Sequence, residues 1–369
     1  MYRFTSLDIE LTQHCNLDCP YCYLGRLKQK GTITRETLTD CLDLLAVWSD
    51  TKTVAVNFYG GEPLCAFPQI TFFVDAAKAR GYTPRYTVVS NGTIDKADIV
   101  DYCKTHGMTV QRSLDGCPSA MELCRGKGTL DRYIEATQAW KDYGKTRRST
   151  IIPETAKFLL GSLRYMAKLG FRKGFSPMPD YYADWKPEHI AQFKLNLWAM
   201  ADELIKDVKA GKQPFYMYWF ARDYNARFTA GKNYKPPIGC GAGRGLHCVS
   251  WDGYLYMCHR FTSEPRDSEF CAGKIRDIID GTARGYGPTV MEGLQHFWTK
   301  QPRDKCQGCA GVYGCTRGCY HSNVKTTGDM REPVPLYCTL KQEAARVIQY
   351  IDNQLRPTHP DWFQPKRKK

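Results

Sequence analysis

The stretch TSLDIELTQHCNLDCPYC, residues 5–22, carries the reading that decides the fold. Thr5–Leu11 predicts a β-strand, and it runs directly into Cys15-Asn-Leu-Asp-Cys19-Pro-Tyr-Cys22. A Cys-x3-Cys-x2-Cys loop offers three thiolates. Structural zinc sites close with four protein ligands, and ordinary ferredoxin clusters are likewise held by four cysteines. Three cysteines on a four-iron cubane leave one iron open, which a small molecule can chelate. The spacing therefore predicts a [4Fe–4S] cluster on Cys15, Cys19 and Cys22. A zinc ion with a distant fourth ligand is the competing reading.

Outward from this loop, short β-branched runs alternate with amphipathic ones. Strands are predicted over Thr5–Leu11, Thr53–Phe58, Arg85–Ser90, Thr109–Leu114, Arg148–Ile152 and Lys173–Ser176. Helices are predicted over Thr34–Trp48, Ile70–Arg80, Lys96–His106, Leu130–Tyr143 and Thr155–Leu169. Alternation of this kind implies an α/β fold with a parallel sheet and right-handed crossovers; periodicity does not separate an open sheet from a barrel. A long helical pattern covers Pro187–Ala210, followed by the aromatic run Phe215–Phe220, which suits either a substrate groove or a core contact. From Asn233 glycine, proline and cysteine gather and helical periodicity fades. This predicts a loop-rich segment held by metal more than by a large apolar core. A last helix is predicted over Thr339–Gln354.

The chain has 369 residues, enough for two core-bearing domains, and a formal charge of +14. Part of that charge is the tail 365–369; the rest suits an acidic partner or a solvated surface. No apolar run is long enough to span a membrane and no export signal opens the chain, so the expected location is the cytoplasm. Seventeen cysteines are too many for ordinary composition, and in a reducing compartment clustered cysteines bind metal or do chemistry.

Several further motifs, in order, make the sequence resemble the radical SAM superfamily. Tyr21 precedes the third cysteine, where the family sets an aromatic against adenine. Gly60-Gly61-Glu62-Pro63 ends the second strand and resembles the family's GGEP turn, which holds the methionine ammonium of S-adenosylmethionine. Ser90-Asn91-Gly-Thr ends the third strand, Ser113-Leu-Asp115-Gly ends the fourth, and Arg125 follows it; these resemble family segments around the cofactor. The resemblance implies a partial (β/α)6, TIM-like barrel over residues 1–180, with the site at the C-terminal strand ends. Residues 181–232 would bridge, 233–345 would form a second domain, and 346–369 would hold the end of the last helix and the tail.

That second domain resembles the SPASM domain, a small loop-rich, cysteine-rich unit with two auxiliary [4Fe–4S] clusters. Cys306-x2-Cys309-x5-Cys315-x3-Cys319, then Cys338, follow Cys240-x12-Gly253-x4-Cys258. The resemblance implies one cluster on Cys306, Cys309, Cys315 and Cys338. It implies another on Cys240, Cys258 and Cys319, with Cys248 as fourth ligand and Cys271 as a weaker contender. Cys41, Cys65, Cys103, Cys117 and Cys124 lack ligand spacing and read as small buried apolar residues.

The function implied is reductive cleavage of S-adenosylmethionine to a 5′-deoxyadenosyl radical, which takes hydrogen from an inert C–H. SPASM relatives mostly modify peptides, so a ribosomally made peptide is the expected substrate, with a thioether, C–C or ether crosslink as product. Sulfatase maturases place an aspartate immediately after the Gly-x4-Cys cysteine; here His259 stands there, within a Cys-His-Arg found among ribosomal-peptide maturases. His259 and Asp115 are the candidate catalytic residues. The expected partners are the peptide, an acidic electron donor of flavodoxin or ferredoxin type and a separate peptide-recognition protein, since the sequence leaves no room for a recognition domain before the first strand. Alternatives are a radical oxidase of a small molecule, a sulfatase-maturase-like enzyme, and a zinc-bearing nucleic-acid-binding protein; against the last, the cationic residues are scattered.

Overall fold

The computed structural model describes residues 5–25, 31–140, 143, 147–171, 175–212, 220, 224, 227, 228, 240–298 and 306–360. The aromatic run, apart from the buried Phe220, and the basic tail lie outside the described residues. In chain order the elements are β1 (Ser6–Thr12), α1 (Arg35–Trp48), β2 (Ala55–Gly60), α2 (Phe67–Ala79), β3 (Arg85–Ser90), α3 (Ala97–Thr105), β4 (Thr109–Ser113), α4 (Pro118–Arg125) and α5 (Thr129–Ala139). Then come β5 (Arg147–Ile151), α6 (Leu159–Lys168), β6 (Phe175–Pro179), α7 (Pro187–Lys209), β7 (Leu246–Val249), β8 (Tyr254–Tyr256) and β9 (Cys271–Lys274). The chain finishes with α8 (Ile275–Ile279), α9 (Pro288–Trp298), α10 (Tyr320–Thr327) and α11 (Pro335–Leu355). Two compact units result.

The first unit comprises Met1–Ser113, Arg125–Gly144 and Cys240–Thr299. Its centre is β1, where Leu7, Ile9 and Leu11 alternate with Ser6, Asp8, Glu10 and Thr12. Successive side chains of a strand point to opposite faces, so β1 has one apolar face and one polar face. The apolar face joins Leu38, Leu42 and Leu45 of α1, Val56 and Phe58 of β2, and Ile70 and Phe73 of α2 in one core. Each such side chain, fully buried, contributes about 1.5–3 kcal/mol. The polar face is buried too, with Asp8, Glu10 and Thr12 each no more than 1% exposed.

The strand order β4-β3-β2-β1 rises one step at a time, and every pair is parallel. No reversal point occurs, so the crossovers wind in one sense, as in a β/α barrel and unlike a doubly wound sheet. On the far side of β1, β7 adds a parallel strand, with Asp8 opposite Cys248, and β8 and β9 follow antiparallel. The second unit comprises Leu114–Cys124, Lys145–Gly239 and Lys300–Lys369. In it β5 pairs parallel with β6, and α7 packs against α11, where Trp198 Nε1 donates to Glu343 Oε1 at 2.7 Å.

The predicted strands and helices correspond to β1–β6, α1–α3, α5–α7 and α11, with displaced ends. Helix α2 begins at Phe67 because Pro68 fits a first turn. The predicted helix start at Thr155 falls in a 3-10 turn over Pro153–Phe158, where the Thr155 hydroxyl accepts from the Ile152 N–H at 3.1 Å; α6 begins after it. One element was missed and one expectation is corrected. Helix α4 was not predicted. The segment after residue 240 is not loop-rich throughout, since it carries β7–β9 and α8–α10. Most of those elements are three to eight residues long, too short for a hydrophobic period to register.

Candidate active site

The Cys15–Cys22 loop leaves the C-terminal end of β1 and is organised by its own backbone. Cys22 N–H donates to Cys19 O at 3.1 Å, and Leu17 N–H reaches Cys15 Sγ at 3.4 Å. Asn91, just beyond β3, ties this loop to its neighbour. Its Nδ2 donates to Asn16 Oδ1 at 2.7 Å and lies 3.8 Å from Cys15 Sγ. Its Oδ1 accepts from Thr93 N–H and Oγ1.

The Gly60–Pro63 turn is pressed against the end of β1. Gly61 N–H donates to Thr12 O at 2.7 Å, and Glu62 N–H to His14 O at 2.8 Å. A Cβ on Gly61 would stand 2.3 Å from His14 O; one on Gly60, whose φ is +143°, would stand 2.2 Å from Thr12 O. Only glycine permits this approach of two backbones.

Glu62 is fully buried. Its Oε1 accepts from Leu64 N–H at 3.1 Å and its Oε2 from Asn91 N–H at 2.7 Å. Burial raises its carboxyl to about 7, against the opposing pull of those N–H groups, the Ser90 hydroxyl and the Arg125 guanidinium. Asn91 thus contacts Glu62 with its backbone and the cysteine loop with its side chain. Arg125 is also buried and lies over the Tyr21 ring, 5.8 Å from the centroid. Ser90 accepts from Gly92 N–H at 3.0 Å, and Ser113 stands half-buried at the end of β4.

The candidate acid–base residues fare differently. Asp115, in the second unit, is fully buried and accepts the Thr150 N–H at 2.7 Å, a bond that holds backbone. His259, in the first unit, sits on the polar face of β1. Its Nδ1 lies 2.9 Å from Asp8 Oδ2, and its ring stacks on Tyr59 at 4.2 Å. Asp8 Oδ1 accepts from Asn57 Nδ2 at 2.8 Å. Next to this pair, Glu10 accepts from Thr262 Oγ1 at 3.1 Å and Trp251 N–H at 3.3 Å; burial pushes its carboxyl up to about 7. Sequence reasoning missed Asp8 and Glu10. Their signal was two acids alternating with apolar residues in a strand buried on both faces.

Among the remaining cysteines, Cys306, Cys309, Cys315 and Cys338 share one neighbourhood in the second unit. The Cys338 thiol is pushed up to about 11 by burial and by the nearness of the other three. Cys258 is near Cys248, which is fully buried and held far above its ordinary thiol range by burial first and then by Asp8, Glu10 and Cys258. Cys240 is exposed, Cys271 is buried in β9, and Cys319 precedes α10. Cys41, Cys103 and Cys124 are buried as expected. Cys117 is only partly so. Cys65 is a correction: it is exposed, because it lies on the 3-10 turn after Glu62, and its thiol, only partly shielded from water, is raised to about 11 by that desolvation, Glu62 and Cys15.

Residues 9–160 match the sequence profile of the Radical SAM superfamily. This region belongs to the radical SAM superfamily. Among solved structures, native anSMEcpe with bound AdoMet superposes with a TM-score of 0.73 at 18% identity, covering 94% of this chain and 99% of that one. Streptococcus suis SuiB bound to precursor peptide SuiA gives 0.60 at 16% identity, covering 92% and 76%. Identities this low speak for the fold. An uncharacterised protein of Archaeoglobus fulgidus is 25% identical over 283 residues, 70% of this chain. The uncharacterised protein MJ0907 of Methanocaldococcus jannaschii is 29% identical over 142 residues, 34% of this chain. The chain spans 63% and 49% of the length of these two curated relatives.

Radical SAM proteins work with a [4Fe–4S] cluster and S-adenosylmethionine, and the residues of the first unit fit both. Three thiols stand on one loop, with donors from Leu17 and Asn91 at Cys15 Sγ. A buried carboxylate and an aromatic ring border that loop. Among the described residues no three His, Cys, Asp or Glu side chains gather round a single-ion position. The fit is therefore one of donor chemistry and of the cradle. No described helix is long and apolar enough to cross a membrane.

Proposed function

We propose that this chain is a radical SAM enzyme that modifies a peptide, most directly by crosslinking one that is ribosomally made. The observation that carries the reading is Asn91, which ties the three-cysteine loop to the buried Glu62. Cys15, Cys19 and Cys22 would hold the cluster; Glu62 and the Gly60–Pro63 backbone would take the methionine end of S-adenosylmethionine, and Tyr21 and Arg125 would face its adenosine. When bound, these cofactors supply an electron and a carbon radical able to take hydrogen from an unactivated C–H. The protein's part is to orient the bound molecules and to keep water from them.

A peptide substrate is supported by the neighbouring folds. SuiB was solved bound to the precursor peptide SuiA, and anSMEcpe with the Kp18Cys peptide. The convergence of Cys306, Cys309, Cys315 and Cys338 supports an auxiliary cluster of SPASM type. The net charge of +14 suits an acidic flavodoxin- or ferredoxin-type donor. Substitution of His259 for the maturase aspartate favours crosslinking over formylglycine formation, with His259 as the candidate base.

The test is to reduce the anaerobically reconstituted chain with S-adenosylmethionine and peptides encoded beside its gene. Loss of two hydrogens from one peptide, localised by fragmentation, is the expected result. Steady 5′-deoxyadenosine formation with no peptide altered would turn the reading toward a small-molecule oxidase.

A further inference from the structure

Between two of the cysteines in Cys315-Thr-Arg317-Gly-Cys319 the backbone does something unusual. Arg317 is the one described non-glycine residue in the left-handed region, with φ at +62°. That conformation disfavours any residue with a long side chain. It is held from both sides. Arg317 N–H donates to Cys315 Sγ at 3.2 Å, and its carbonyl accepts from Asn323 Nδ2 at 3.0 Å. Asn323 is fully buried and is itself fixed, donating to Met330 O at 2.9 Å and accepting from Val334 N–H.

The side chain that this backbone aims is only 7% exposed. Among the described residues its Nη1 has no hydrogen-bond partner, and no carboxylate pairs with the guanidinium. Arginine cannot shed its proton, and a charge with so little exposure is stabilised by a charge of opposite sign nearby. Two cysteines stand within two residues of Arg317, and its N–H reaches the Sγ of one of them. Four thiols are neutral, but four thiolates around iron form a net anionic body. Strain kept at one position in this way accompanies a functional demand on that position.

We infer that Arg317 is the counter-charge of the cluster held by Cys306, Cys309, Cys315 and Cys338, and that it sets that cluster's reduction potential. This rests on the auxiliary-cluster reading above. A fixed cation stabilises the more negative, reduced form, so it raises the potential. Half-buried Lys341 also acts on Cys315, and it stays in place in every variant proposed below.

The experiment is a redox titration of the reconstituted full chain followed by electron paramagnetic resonance, with iron counted in the same samples. Arg317→Gly removes both charge and strain; Arg317→Asn removes the charge and tolerates the left-handed backbone; Arg317→Lys keeps the charge. In the Gly and Asn variants the reduction equilibrium of one auxiliary cluster should shift at least tenfold toward the oxidised form, about 59 mV for one electron. In the Lys variant it should stay within about threefold of wild type, under half that span. An unmoved potential in the Gly and Asn variants, with about twelve irons present, overturns the inference alone. About four irons in the wild type overturns the auxiliary-cluster reading and the inference with it.

Discussion

The backbone N–H of Asn91 donates to Glu62 Oε2 at 2.7 Å, while the side chain of Asn91 reaches the Cys15 loop. One residue beyond β3 thereby sets the distance between the proposed cluster ligands and the buried carboxylate. Asn91→Ala removes the side-chain half of this link and leaves the backbone half. Iron retained on anaerobic gel filtration should fall, and 5′-deoxyadenosine formation should drop about ten- to a hundredfold, as when an outer-sphere partner of a metal site is lost. Undiminished activity would show that the link positions nothing.

Gly61→Ala places a methyl group 2.3 Å from His14 O, backbone against backbone. Neither side is a flexible side chain, so the turn must move away from β1. Urea unfolding should show a loss of about 1–3 kcal/mol, and affinity for S-adenosylmethionine should weaken in equilibrium dialysis. Full retention of both would mean that the turn is not fixed by the end of β1.

Removing His259 leaves the buried Asp8 with Asn57 as its remaining named partner. The pair should therefore be coupled in a double-mutant cycle of Asp8→Asn and His259→Ala, by about 0.5–3 kcal/mol in urea unfolding. Additive single effects would show that the 2.9 Å contact holds nothing.

Glu62 and Glu10 are each raised by burial from 4.5 to about 7. Between those values the folded chain keeps protons that the unfolded chain has released. With respect to these groups, stability of the apoprotein should therefore be full below about pH 4.5, fall as pH rises to about 7 and level off above, by about 3 kcal/mol or less for each. Glu10→Gln should flatten the decline. A stability that rises over the same interval would contradict the burial of both carboxylates as charged-form penalties.

How much of this was legible in the chain follows from what each feature needs. Cys15, Cys19 and Cys22 stand close together in the chain, so their spacing suggested a cluster, whereas Gly60–Pro63 was singled out by its resemblance to a family turn. The α/β alternation was equally plain. Asp8 and His259 meet across a separation of 251 residues, and β7 joins β1 from a similar distance. No local pattern announces such a meeting. Cys65 was misplaced because absence of ligand spacing says nothing about exposure. The strain at Arg317 is a backbone angle, and its sequence, Thr-Arg-Gly, is that of an ordinary turn.

The proposed role of Cys15, Cys19 and Cys22 in S-adenosylmethionine cleavage has a simple product readout. It is tested most directly by 5′-deoxyadenosine formed from S-adenosylmethionine by the dithionite-reduced chain, compared with the Cys15→Ala/Cys19→Ala/Cys22→Ala variant. Product is expected from the wild type and none from the variant, even while the variant retains its other iron. Equal product from both, or none from a wild type carrying its full iron, would contradict it.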